Sequence, residues 1–153
     1  MIYTLKIGII ILLIPASVHD LSERKVPVLY VVLAGILSVS QVVIKCLSGE
    51  IPVVMATAAL GILPGLVFCV IGWFSKKAGM ADGIIVGILG LSENYVCGVF
   101  ILCAGSFILS LLSAVLLIAR KVNRRTQMPF VPFLEGGYIL WFIISAVKGV
   151  AHV

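Results

Sequence analysis

An all-α polytopic membrane protein of six helices is the fold class this sequence predicts, and three observations carry the prediction. Hydrophobic residues make up 62% of the 153-residue chain and charged residues only 11%, less than half the roughly 25% typical of a soluble domain. The mean hydropathy is +1.28. The apolar residues fall in long unbroken runs separated by short polar breaks, without the two-residue alternation of a membrane barrel. In lipid only helices and closed barrels satisfy their own backbone, so the runs read as helices. Residues 1–153 are read as one transmembrane domain.

The first run covers 2–19 and the second 28–44, directly after Pro27. The third, 51–74, carries Gly61 and Gly65, a G-x-x-x-G pair suited to close helix packing. Pro15, Pro52 and Pro64 lie in or near the ends of these runs, where membrane helices tolerate them. The fourth run, 83–91, is short. Its nine to eleven residues rise roughly 16 Å, about half the hydrocarbon core. The fifth run is 95–119 and the sixth 132–150, with Pro132 as a helix starter. Lys6 and Lys148 are placed to snorkel toward an interface, and Tyr138 and Trp141 read as packing or lipid-facing aromatics.

Charge decides how the fourth run is used. Arg24, Lys25, Lys76, Lys77, Arg120, Lys121, Arg124 and Arg125 fall in segments 20–27, 75–82 and 120–131, eight of the eleven basic residues. All three segments face the cytoplasm only if the chain turns back at Ser92-Glu93-Asn94. The positive-inside rule therefore predicts a hairpin there, with both termini on the extracytoplasmic side. Because Arg24 and Lys25 follow the first run, it is read as a retained helix and not as a cleaved signal peptide. The net charge of +5 is scattered in short clusters, which suits anionic lipid heads and not nucleic acid. Cys46, Cys69, Cys97 and Cys103 include no C-x-x-C pair and no neighbouring histidine. No metal and no cofactor is expected.

Two carboxylates stand out. Asp20 ends the first run and Asp82 opens the fourth, so the predicted topology brings both to the cytoplasmic face. A short fourth helix also sets Asp82 below the headgroups. Carboxylates inside a membrane cost several kcal/mol and mark functional sites by default. Plainer readings exist for each: Asp20 as a solvated partner of Arg24 and Lys25, Asp82 as a helix cap. Glu135 is a third unusual carboxylate, three residues after Pro132. It reads either as an anion favoured by a helix N-terminus or as a contact for a basic substrate segment. His19 adjoins Asp20 and reads as an interfacial structural residue.

Asp20 opens D-L-S-E-R-K-V-P, Asp82 closes G-M-A-D, and P-F-V-P-F-L leads into the last helix. In that order, on a six-helix plan, the chain resembles the type IV prepilin peptidases, the GxGD-type aspartic proteases of bacterial and archaeal inner membranes. The resemblance covers nearly the whole chain. It implies catalysis by Asp20 and Asp82, with Gly79, Met80, Ala81 and Gly83 as the active-site loop. It also implies a substrate: a prepilin or pseudopilin with a basic leader peptide, a glycine before the cleaved bond and an apolar helix after it. Two departures matter. Ala81 replaces the second glycine of GxGD, removing easy access to positive φ while Gly83 keeps some freedom. Only seven residues separate Asp20 from Val28, with no cysteine among them, so the chain resembles a minimal form without the N-methyltransferase region.

The chemistry matches the residues. Two aspartates hydrolyse a peptide bond when one, ionised, takes a proton from water and the other, protonated, polarises the carbonyl. The helix ends predict Asp82 as the ionised partner, because it opens a helix while Asp20 closes one. Two readings compete with the peptidase. One is a small proton- or ion-coupled transport protein, the other a catalytically silent scaffold on the same fold.

Overall fold

The computed structural model describes residues 2–23, 26–49, 51–75, 80–119 and 129–151. They form six helices: α1 (Ile2–Glu23), α2 (Val28–Ser48), α3 (Ile51–Ser75), α4 (Met80–Ser92), α5 (Tyr95–Ile118) and α6 (Val131–Ala151). Among the described residues there is no strand. The protein is an all-α, membrane-type bundle. Helices α1, α2, α3 and α5 are long and apolar enough to cross a membrane. Their outer faces carry apolar stripes at helical spacing, such as Ile7, Ile11, Ile14, Val18 and Leu21 on α1. Lipid removes the cost such stripes would carry in water.

Most predicted helices are a few residues too short. Helix α1 runs on through Asp20 to Glu23, so Asp20 lies inside the last turn instead of ending the helix. Helix α2 continues past Ile44 to Ser48. Helix α4 begins three residues early, at Met80. Reading helices as apolar runs stops them at the first polar residue, whereas a helix entering an interface keeps its hydrogen bonds through a polar last turn. The chain does break at Glu93–Asn94, as the charge argument predicted. Asn94 takes extended backbone (φ −177°), and its side chain accepts a hydrogen bond from Cys97 N at 2.9 Å, capping α5. The eight basic residues behind the predicted sidedness, from Arg24 to Arg125, all lie outside the described residues.

Helix α4 sits at the centre, packed on α2, α3, α5 and α6. Its contact with α3 is made backbone to backbone. A Cβ added to Gly90 would lie 2.0 Å from the carbonyl oxygen of Gly61, and one on Gly65 would lie 2.4 Å from Gly87 N. The G-x-x-x-G pair of α3 thus has its expected packing use, against the glycines of α4.

The same contacts give the register. Gly61 lies beside Gly90 and Cys69 beside Gly83, so α3 and α4 are antiparallel. Phe68 stacks on Phe130, just before α6, with ring centroids 5.8 Å apart. Gly105 of α5 lies against Phe133. Helices α4 and α6 therefore both start inside the ends of α3 and α5. By this register Met80 is level with about Ile71 and Val131 with about Phe107, so α3 continues roughly four residues past the start of α4, about 6 Å, and α5 roughly eleven past that of α6, about 16 Å. The short fourth helix is recessed at this end, as expected of it.

Candidate active site

Of the three carboxylates that the sequence singles out, Asp20 and Glu135 lie on the α1–α6 interface at this end, and Asp82 is in the first turn of α4. Asp20 is buried in the last turn of α1. Its Oδ2 accepts a hydrogen bond from Val131 N at 3.2 Å. That amide opens α6 and has no partner within its own helix. Pro132 next to it has no N–H to satisfy, and the amides of Phe133 and Leu134 both reach back to Phe130 O. Asp20 thus caps α6 from a neighbouring helix.

One turn deeper on both helices, Ser17 Oγ donates to Glu135 Oε2 at 2.5 Å. Both residues are buried. Ser17 and Asp20 stand three residues apart on α1, and Val131 and Glu135 four apart on α6, so the two contacts form a ladder between one face of each helix. Glu135 is therefore tied into the α1–α6 interface beside Asp20. Sequence reading missed Ser17, because a serine inside an apolar run carries no signal of its own.

Asp82 lies half-buried in the first turn of α4. A small cavity separates α4 from α1, lined by Leu13 and Ala16 of α1, Tyr30, Val31 and Ala34 of α2, and Ile85, Ile88 and Leu89 of α4. Asp20 stands four residues past Ala16 and Asp82 three residues before Ile85. Each is one helical turn from a lining residue. Since α1 and α4 run in opposite senses here, both positions lie toward the same end of the cavity. The ring of His19 rests on Tyr30 (centroids 6.1 Å apart), which fits its structural reading.

Two expectations need correction. The predicted active-site loop is not a loop where it is described: Met80, Ala81 and Gly83 are helical, and Gly79 lies outside the described residues. Met and Ala are strong helix formers, and the flanking glycines masked that preference. Ala81 therefore needs no positive φ. Gly83 serves close packing instead, since a Cβ there would lie 2.4 Å from Cys69 Sγ and 2.9 Å from Cys69 N. The contrast of helix ends behind the division of roles is also less sharp than the sequence suggests: Asp82 is in the first turn of α4, and Asp20, in the last turn of α1, accepts from the amide that opens α6.

The snorkelling expected of Lys6 is overturned as well. Its side chain is 13% exposed and ion-paired with Glu93, with Nζ 2.8 Å from Oε1. The apolar runs hid the pairing, since its partners are 87 residues apart in sequence. The side chain of Lys148 lies outside the described residues. Tyr138 is fully buried, and Trp141 packs on Phe100 at 5.5 Å, both as packing aromatics.

Among the described residues no group of three histidine, cysteine, aspartate or glutamate side chains is arranged to hold a metal ion. No protein-family model, curated protein or solved structure matches this chain.

Proposed function

We propose that the chain is a membrane aspartic endopeptidase that removes basic leader peptides from prepilin-like substrates at the cytoplasmic face of an inner membrane. One observation carries the reading. Asp20 and Asp82 come from different, antiparallel helices, and each stands one helical turn, toward the same end of the bundle, from a residue that lines the cavity between those helices. The D-x6-P and G-M-A-D segments and their order among six helices support it.

In this reading the ionised aspartate takes a proton from water, whose oxygen attacks the scissile carbonyl carbon. The protonated aspartate gives its proton to the carbonyl oxygen. The tetrahedral diol then collapses, the C–N bond breaks, and the leaving amine takes a proton from the pair. Glu135, one turn deeper than Asp20, supplies negative charge toward a basic leader. The apolar helix of the substrate stays in lipid beside the bundle.

The test is co-expression with a prepilin, scoring leader removal by intact mass. Wild type should cleave, and Asp20→Asn and Asp82→Asn should each lower cleavage by about 10²–10⁴-fold, the usual contribution of a general acid or base. Near-normal cleavage by either folded variant sinks the dyad. Ion flux through reconstituted protein without cleavage would favour a transporter, and neither activity a scaffold. The released N-terminus should carry no added methyl group, because the short α1–α2 connection holds no room for a methyl-donor site.

A further inference from the structure

The opposite end of the bundle holds a second group of charged residues that the proposed chemistry does not use. Lys6 of α1 donates to Glu93 Oε2 at 2.9 Å, where α4 ends, and lies 5.7 Å from the ring centre of Tyr3. Lys45 of α2 donates to the carbonyl oxygen of Ser92, the last residue of α4. The Lys6 and Glu93 side chains are only 13% and 9% exposed. The C-terminal end of α4 is thus held from both flanking helices by lysines.

Such a pair is a weak source of stability, since the cost of desolvating two charges offsets their attraction. Its best-attested use is to fix register. Helix α4 needs that. Thirteen residues rise about 20 Å, against a hydrocarbon core of about 30 Å, so matching to the bilayer does not set its depth. The glycine seam fixes α4 against α3, but among the described residues no comparable backbone contact joins α4 to α1. Those two helices face each other across the cavity without close backbone approach. Yet α1 and α4 are the helices that carry Asp20 and Asp82. From Lys6 to Asp20 is fourteen residues, and from Glu93 back to Asp82 is eleven. The ion pair closes one end of an antiparallel pair of helices whose other ends hold the two aspartates.

We infer that Lys6–Glu93 is a remote positioning clamp that sets the axial register of Asp20 against Asp82. The inference rests on the peptidase reading for its functional consequence, but its structural part is tested independently. Nitroxides are attached to a keto-bearing unnatural amino acid at positions 21 and 84, whose native Leu21 and Ile84 are exposed. The 21–84 distance distribution is then measured by pulsed electron resonance in lipid nanodiscs. Lys6→Met and Glu93→Gln should broaden it, and Lys6→Arg should preserve it. The double variant Lys6→Met/Glu93→Met leaves no unpaired charge and should assemble as well as the parent, yet keep the broad distribution.

In the cleavage assay, the broadened variants should lose about 10- to 100-fold in kcat, the range expected for ångström-scale misplacement. KM should stay within about threefold, and Lys6→Arg should retain the parental rate. A distribution in the double variant that matches the parent overturns the clamp, and so does a broad distribution with undiminished kcat. If the parent shows no cleavage at all, the peptidase reading falls and the distance measurement alone decides the clamp.

Discussion

The two sides of α4 are built differently. Toward α3 it meets backbone with backbone: Gly61, Gly65, Gly83 and Gly90 let the helices approach until an added methyl group would collide with main chain or Cys69. Toward α1 it meets side chain with side chain, across a small cavity and an ion pair. Asp82 therefore rides on a rigid α3–α4 unit, whereas Asp20 belongs to an α1–α6 unit joined by Ser17–Glu135 and Asp20–Val131. The comparison teaches where tolerance lies. The seam fixes one carboxylate absolutely, and the gap leaves the second to be placed by polar contacts.

The largest break should come at the seam. Gly90→Val puts a β-branched side chain against the Gly61 carbonyl, with no flexible neighbour able to yield. Overpacking usually costs about 1–3 kcal/mol and more where backbone must move. The expected outcome is loss of the monodisperse, folded species in detergent by size-exclusion chromatography. A well-folded, fully active Gly90→Val protein would show that the seam is looser than these distances imply.

Next in size is Ser17→Ala, which strips the buried Glu135 carboxylate of its donor. Leaving a buried charged group unsatisfied costs about 1–3 kcal/mol or more, readable as a lowered midpoint in thermal unfolding. Ser17→Ala/Glu135→Leu should recover most of that loss, because it removes both partners. If Glu135 also meets the basic leader, the double variant regains stability but keeps a raised KM. Recovery of both properties would leave Glu135 a purely structural role.

These two predictions separate what was legible in the sequence from what was not. The helix count was legible because hydropathy and length act locally along the chain, and the break at Ser92–Asn94 because the basic residues cluster in only three of the connections. Asp20 and Asp82 were legible because a carboxylate beside an apolar run is conspicuous. Ser17 was not: its meaning comes from a residue 118 positions away. Lys6 was misread for the same reason, its partner being 87 positions distant. Gly83 was noticed for the wrong property, conformational freedom, when close approach to Cys69 was what mattered. Position 81 shows the converse error, since an alanine read as part of a loop proved to lie in the first turn of a helix.

The smallest expected effect is at that position. Ala81→Gly lies in the first turn of α4, away from the seam, and should cost no more than about 0.5–1 kcal/mol through helix propensity. Cleavage should stay within about twofold of wild type by the same mass assay. A large gain in rate on restoring glycine would reinstate a special backbone requirement there and weaken the helical account of the segment.

The position of Glu93 has a further consequence. Because Gly90 lies beside Gly61, the turn after α4 reaches only to about the level of Ala58, and α3 continues outward for roughly 10 Å. A polar turn thus lies deeper than the ends of its neighbours, shielded by the Lys6 and Lys45 stems. Short-chain lipids let headgroups and water approach that turn, while long-chain lipids bury it further and raise the cost of its charges. Lipid chain length should therefore bear on how firmly the Lys6–Glu93 pair holds the end of α4 against α1.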